Sequence, residues 1–395
     1  MKFDVIIAGA GFAGSVIAER CASLFQKNVL VIEKRFHIGG NCYDFYDENE
    51  ILVQKYGPHS FHTDDEEVFQ YLSNFTEWIL FNLKVLAFID GKYVPIPFNL
   101  NTLYQLFSPE YAKLLESKLV NHLGFGKRMP IIELKNKAQS LNDRDLLFLA
   151  DFILDKVYKN YSKKQWELPL EKLKNVLDRV PIVISRDDSY HHNKYRTNPK
   201  RGYSHLFEQL LAHQNIRCLL NTDFHDVVKV DFQSGKVFLF DAEWHGLIIY
   251  TGALDRFFEH KYGKLSYRSL RFEFKEYEMP FFQDSAVVNY PNDYDWTRIT
   301  EFKHFSKSIK SSPNKTIVAY EYPIKESISN EPFYPIPTEE NSRLLKKYLD
   351  EVEMWKEKLS SQENRMEFIG RLAEYKYYDM WEVVKQGLTL AKSLF

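Results

Sequence analysis

The chain has 395 residues, more than one simple core accommodates, which implies two or three domains. Its net charge is −2 with 45 % hydrophobic residues, so globular packing is possible and a basic nucleic-acid-binding surface is excluded. No apolar run approaches a membrane span, and MKFDVIIAGAG lacks the apolar core of a signal peptide. In chain order, FDVIIAGAGFAGSVIAERCASL predicts a strand over about residues 3–8, a glycine turn and a helix to about residue 25. NVLVIEK, 28–34, predicts a second buried strand, and 67–74 a helix. KVLAFIDGKYVPIPF predicts a hairpin turned at Asp90-Gly91. Residues 101–160 predict several helices, the longest over LNDRDLLFLADFILDKVYKNY. Residues 171–201, rich in charge, Asn, Asp and Pro, predict loop. YSHLFEQLLAH predicts an amphipathic helix; IRCLLNT, DVVKVDF, KVFLFDA and GLIIYTG predict strands. Alternation over 267–325 predicts an antiparallel sheet, TEENSRLLKKYLDEVEMW a capped helix, and 379–394 a closing helix.

Cys21, Cys42 and Cys218 are too widely spaced for a disulfide framework or a metal site, and they fit a reducing cytoplasm. His59 and His62, in YGPHSFHT, stand at i, i+3, but no third ligand is evident, so no metal is expected. Aromatics make up 16 % of the chain, with 31 Phe and 25 Tyr. They fill cores and also suit stacking on planar ligands.

The opening stretch carries the most specific chemistry. Gly9, Gly11 and Gly14 form GxGxxG after a strand and at the start of a helix, and Glu33 ends the next strand. The first glycine permits the turn, the second lets backbone N–H groups approach a pyrophosphate, and the third lets helix and strand pack closely. Glu33 can accept from the adenosine ribose hydroxyls. KRFHIGGNCYD then prolongs the site beyond the ribose, and the nucleotide fold returns only with LIIYTG. Such an interrupted domain suits FAD better than NAD.

The dinucleotide loop, YGPHSFHT, YSKKQW, TRITEFKHF and GRLAEYKYYDM occur in this order along nearly the whole chain. In this the sequence resembles the bacterial UDP-galactopyranose mutases. The resemblance implies an α/β fold: an FAD-binding Rossmann-like domain with an inserted helical domain and an antiparallel sheet domain. Their expected bounds are 1–80 with 203–260 and 360–395 for the FAD domain, and 98–165 for the helices, with a mobile loop at about 171–185. The sheet domain would take 81–97, 186–202 and 261–337. It further implies an isomerase that interconverts UDP-galactopyranose and UDP-galactofuranose without net redox change, using reduced FAD. In that mechanism flavin N5 attacks the anomeric carbon, UDP leaves, and the opened sugar recloses through another hydroxyl. The product serves cell-surface glycans. A cytoplasmic homodimer reduced by NAD(P)H or another donor is likewise implied, with no nucleic acid and no membrane span.

Residue by residue, the resemblance places Arg179, Arg298, His62 and Asp379 in catalysis. Tyr161, Trp166, Tyr190, Asn289, Tyr334 and Tyr377 join both arginines around UDP. Cofactor contacts fall on Gly9, Gly11, Phe12, Ala13, Gly14, Glu33, Lys34, Gly40, Asn41, His59, Arg371, Tyr378, Asp379 and Met380. The sequence departs from the family at His191, where an aromatic residue is common, at Phe333, where a second tyrosine is usual, and at Glu167, where glycine is common. Alternatives are the same chemistry on UDP-N-acetylgalactosamine, a redox flavoenzyme of the amine oxidase kind, and a flavin-free protein like the Rab GDP-dissociation inhibitors.

Overall fold

The first strands and helix form as expected. Val5–Ala8 and Val29–Ile32 flank the helix Phe12–Phe25, and both strands are buried along their whole length. A run of apolar residues without alternation marks a strand covered on both faces. The structure, a computed structural model, describes residues 2–166, 180–305, 311–325 and 331–394; the side chains of Trp166 and Lys325 fall outside that description.

Five parallel strands make the first sheet, in the order Ile216–Leu219, Val29–Ile32, Val5–Ala8, Leu247–Tyr250, Arg365–Phe368. Side chains alternate between its faces. Val5, Ile7, Val29, Val31, Leu247 and Ile249 share one core with Ile17 and Cys21 of the first helix. Ile6, Ala8, Leu30, Ile32, Ile248 and Tyr250 share another with Trp244, Phe257, Tyr348 and Trp355. The closing helix Met380–Leu394 lies against the first helix, where a Cβ on Gly387 would stand 3.0 Å from Val16. The second face is covered by the helix Glu339–Ser360, whose start is capped as expected by Thr338 accepting from Asn341 N.

The second sheet has seven strands: Tyr334–Pro335, Tyr267–Tyr277, Thr316–Lys325, Arg298–Glu301, Val287–Asn289, Val85–Ile89, Lys92–Ile96. The last two form the expected hairpin, with Asp90 and Gly91 both at positive φ, 48° and 81°. Pairing is antiparallel except at one join, where Val287–Asn289 runs parallel to Val85–Ile89. A parallel pair needs a long crossover, which sequence alternation does not reveal. Here the crossover takes in the helices Leu100–Leu106, Pro109–Leu123, Ile131–Ser140 and Arg144–Ile153, which bury their apolar faces against Val85, Ala87, Ile89 and Val287.

The long helix read over 141–161 forms from Arg144 to Trp166, with a wider turn at Leu154–Lys159 inside it that joins Arg144–Ile153 to Asn160–Trp166. One expectation needs correction. The loop read over 171–201 is narrower, because Ile182–Val183 pairs with Arg128–Met129, and Tyr195–Pro199 lies between Phe61–Thr63 and Trp78–Leu80. Ile182, Val183 and Ile184, within the segment read as a mobile loop, are buried. Residues 171–179 of that segment lie outside the described residues. Among the described residues no helix is long and apolar enough to cross a membrane, and no group of three metal-ligating side chains forms.

Candidate functional site

A cavity of about 560 Å³ lies at the carboxyl ends of the parallel strands, lined by Ala8, Ile32 and Tyr250 at their tips. Open α/β sheets bind ligands there. Gly9, Gly11, Phe12, Ala13, Glu33, Lys34, Gly40, Asn41, His59, Arg371, Tyr378 and Met380 all line it. Gly14 does not line it, and its role is packing: a Cβ there would stand 2.0 Å from the Gly9 carbonyl oxygen. Gly11 caps the first helix with no side-chain bond, which leaves first-turn N–H groups for an anion. Gly40, at φ 56°, passes so close that a Cβ would stand 3.1 Å from the Gly11 Cα. Glu33 accepts from Ala10 N and Arg35 N, both at 2.9 Å, and each oxygen keeps a lone pair for a ribose hydroxyl. Arg35 grips Asn41 Oδ1 at 3.0 Å and pairs with Glu331 at 2.6 Å, fixing the extension beyond the ribose. Backbone glycines, an uncapped helix start and a ribose-facing acid together fit a dinucleotide. The cavity continues past them to His59, Phe333 and Arg371, which gives it the reach a flavin dinucleotide needs.

GRLAEYKYYDM divides its labour. Tyr375 is buried and structural, its hydroxyl donating to Ser266 O at 2.5 Å. Tyr378 donates to Glu374 at 2.9 Å, while Arg371 donates to the Tyr378 carbonyl at 2.7 Å. Tyr377 is turned outward, stacked on Tyr334 with centroids 5.3 Å apart and planes 10° apart. The Arg371 guanidinium sits 4.9 Å from the Tyr377 ring centre and 5.4 Å from that of Tyr334. Asp379 precedes the closing helix, and its N–H donates to Glu382 Oε2 at 2.7 Å. Met380 and Val383, in the first turn, face the cavity, so the positive end of this helix meets it.

Beside the cavity lies a second cluster. Arg298 donates to the Tyr161 hydroxyl at 3.0 Å and pairs with Glu321 at 3.1 Å. Burial opposes the guanidinium charge, but Glu321 and the hydroxyls of Tyr161, Tyr334 and Tyr190 outweigh it and hold the Arg298 pKa well above its ordinary range. Burial pushes the hydroxyls of Tyr161 and Tyr334 upward, so both remain protonated donors at neutral pH. Asn289 stands opposite Arg298 in register, and its Oδ1 is buried with no hydrogen-bond partner among the described residues. A buried acceptor without a partner calls for an explanation, and a ligand beside Arg298 would supply one. His59 joins the two halves. Burial pushes it down to about 4, and the charges of Arg371 and Arg298 reach it from both sides, so its ring is neutral at pH 7.

Thus Tyr161, Tyr190, Arg298, Tyr334, Arg371 and Tyr377, drawn from distant parts of the chain, lie within electrostatic reach of one another. His62 stands apart. It lies in the strand Phe61–Thr63, is not among the residues lining the cavity, and stacks on His191 at 3.6 Å. Arg179, Glu167 and the Trp166 side chain lie outside the described residues. Glu321 went unnoticed in the sequence. It is chosen by register, opposite Arg298 across the Thr316–Lys325 strand, and no local motif marks it.

Residues 156–377 match the family model described as UDP-galactopyranose mutase, and residues 7–75 that of an NAD(P)-binding Rossmann-like domain. The chain is 33 % identical to a probable UDP-galactopyranose mutase of Klebsiella pneumoniae, over 98 % of this chain and 94 % of the relative. It is 34 % identical to the UDP-galactopyranose mutase of Mycoplasma genitalium, over 100 % and 95 %. It is also 32 % identical to a dTDP-fucopyranose mutase of Escherichia coli, over 98 % and 97 %. Among solved structures, a reduced UDP-galactopyranose mutase matches with a TM-score of 0.69 at 18 % identity, covering 99 % of this chain and 93 % of that one. A redesigned putrescine oxidase matches at 0.51 and 11 %, covering 100 % and 99 %. At such identities the solved structures speak for the fold alone.

Proposed function

Because the chain belongs to the UDP-galactopyranose mutase family, whose members are isomerases, we propose that it interconverts UDP-galactopyranose and UDP-galactofuranose with FAD held over the parallel sheet. The observation that carries this reading is Arg298, braced by Glu321 and Tyr161 among Tyr334, Tyr377 and Arg371 beside a dinucleotide cavity. A pure oxidase has no use for such a cluster of donors. A diphosphate leaving group does, since charge-assisted bonds to arginine are each worth roughly 1.5–3 kcal/mol.

In this reading Gly9, Gly11 and Gly40 cradle the cofactor pyrophosphate and Glu33 takes the ribose. Reduced FAD held there would supply the nucleophilic nitrogen for the anomeric carbon. Arg298 and the hydroxyls of Tyr161, Tyr334 and Tyr377 hold the diphosphate in the ground state and take up its charge as the glycosidic bond breaks. Arg179 would bring a second cation to the same oxygens. Asn289 Oδ1 accepts from a substrate hydroxyl, which relieves its buried, unpartnered state. The closing helix aims its positive end at the cofactor ring and, with Arg371, favours an anionic reduced ring. Neutral His59 adds no competing charge. We assign the parallel-sheet layer to the cofactor, the helical layer and the seven-stranded sheet to the nucleotide sugar, and the reductant to NAD(P)H. A cytoplasmic homodimer feeding cell-surface glycans completes the proposal.

A second reading has an observation behind it: the similarity to a dTDP-fucopyranose mutase, which keeps the chemistry and changes base and sugar. One assay decides. Under anaerobic conditions, with and without dithionite, UDP-galactofuranose and dTDP-fucofuranose are each offered and the pyranose product is measured. Activity with the UDP sugar only in the reduced state is expected, and Arg298→Ala should lose it by a hundredfold or more with flavin still bound. A yellow protein inactive on both sugars in both states overturns the proposal.

A further inference from the structure

The helical segment Asn160–Trp166 carries Tyr161 to Arg298, and two cations, Lys164 within YSKKQW and Arg268 on a neighbouring strand, hold it in place. Lys164 sends its ammonium into the turn that joins the strands Val287–Asn289 and Arg298–Glu301. Four carbonyls converge there on Nζ: Tyr290 at 2.5 Å, Asn292 at 3.0 Å, and Tyr294 and Trp296 at 3.1 Å. Arg268, buried on the strand Tyr267–Tyr277, donates to the last carbonyls of the same helix, Nε to Gln165 O at 2.8 Å and Nη2 to Lys164 O at 3.2 Å. This segment ends a longer helix that is continuous through the wider turn at Leu154–Lys159. Its terminal carbonyls are unpaired within the helix, and cations favour that end. Lys164 and Arg268 therefore fix where that end lies. The turn depends on Lys164 as well: without the ammonium, four carbonyl oxygens would converge on an empty centre. Burial lowers the Lys164 pKa to about 8, and Asp293 and Asp295, on the turn itself, counter it only in part, so the group is still an ammonium at pH 7.

Asn289 and Arg298 leave that turn on its two sides and oppose one another in register. We propose that Lys164 is a positioning residue: its ammonium locks the helix bearing Tyr161 onto the turn bearing Asn289 and Arg298, and so sets the gap between two walls of the nucleotide-sugar site. The proposal rests on the functional reading above for its effect on substrate, but not for the lock itself. Lys164 touches no substrate; it acts through Tyr161, Asn289 and Arg298. Its neighbour Lys163 is exposed and provides the control.

The test compares Lys164→Met, Lys164→Gln, Lys164→Arg and Lys163→Met as flavin-loaded protein. Steady-state kinetics with UDP-galactofuranose, UDP affinity by calorimetry, and amide exchange over residues 160–166 and 287–298 without ligand are measured. Lys164→Met should keep its flavin, raise KM and the UDP dissociation constant together by tenfold or more, and change kcat less than threefold. Amides in both segments should exchange faster. Lys164→Arg should recover much of the loss, and Lys163→Met should match the parent. If Lys164→Met does not fold, Lys164→Gln, which keeps two donors without charge, gives the same reading in weaker form. Parental KM and parental exchange in the folded variant overturn the proposal. Should the parent bind no UDP, the functional reading fails, and amide exchange still decides the lock.

Discussion

His191 presses its ring against His62 with centroids 3.6 Å apart and planes 17° apart, and meets Tyr190 edge-on at 4.9 Å. Burial, and then the charges of His62 and Arg128, push His191 down from 6.5 to about 3. The folded chain therefore refuses a proton that the unfolded chain accepts. The stability this contributes is fully present above pH 6.5 and is lost as pH falls toward 3. At pH 5 the loss amounts to about 2 kcal/mol. His191→Phe keeps a flat ring in the stack and removes the titration. Denaturant unfolding at pH 7 and pH 5 should show the parent losing about 2 kcal/mol more than the variant; equal losses would remove His191 from the account. Residues whose role is set by residue type alone were legible in the sequence. Gly9, Gly11 and Glu33 are of this kind: few residue types suit that turn and that strand end, and all three line the cavity. Lys164 was not. Beside Lys163 on a helix it reads as one more solvated lysine, and only the distant turn with its converging carbonyls gives it a task.

The elements that were legible are those whose pattern is local. Strands buried on both faces announce themselves as apolar runs, and the Asp90-Gly91 hairpin by its turn residues. Ile182–Val183 is too short to show a period, and Tyr195–Pro199 is polar and ends in proline, so both were read as loop. The packing of the first helix on its strand yields a prediction at the same scale. A Cβ on Gly14 would stand 2.0 Å from the Gly9 oxygen in the turn and 3.0 Å from Ile7 Cγ2 on the strand before it. Gly14→Ala must lift the helix off the sheet, at a cost of roughly 2–4 kcal/mol. It should also move the uncapped N–H groups from the pyrophosphate. Gly126→Ala, with nothing within 4 Å, faces only its backbone strain at φ 81° and is the comparison. Flavin-to-protein ratios after purification should fall for Gly14→Ala and stay near parental for Gly126→Ala, whose unfolding free energy should fall by only about 1 kcal/mol.

Across the whole molecule, the cavity binds the two ends of the chain to its middle, since Gly9, Tyr250 and Arg371 share it. A ligand bound there stabilises only the assembled fold. FAD at a hundred times its dissociation constant should add about 2.7 kcal/mol. Apoprotein should therefore melt several degrees lower and recover as FAD is titrated back, which thermal unfolding measures directly. A melting point indifferent to FAD would speak against the cavity as its site. The same geometry sets an order of events in the cell. The fifth parallel strand is Arg365–Phe368, and the far wall of the cavity runs from Gly370 to Val383. At roughly 5–20 residues per second of synthesis, the glycine loop emerges about 20–75 s before the wall that completes its site. A chain that stops short of Gly370 carries every glycine of the loop but lacks that wall, and should retain no flavin.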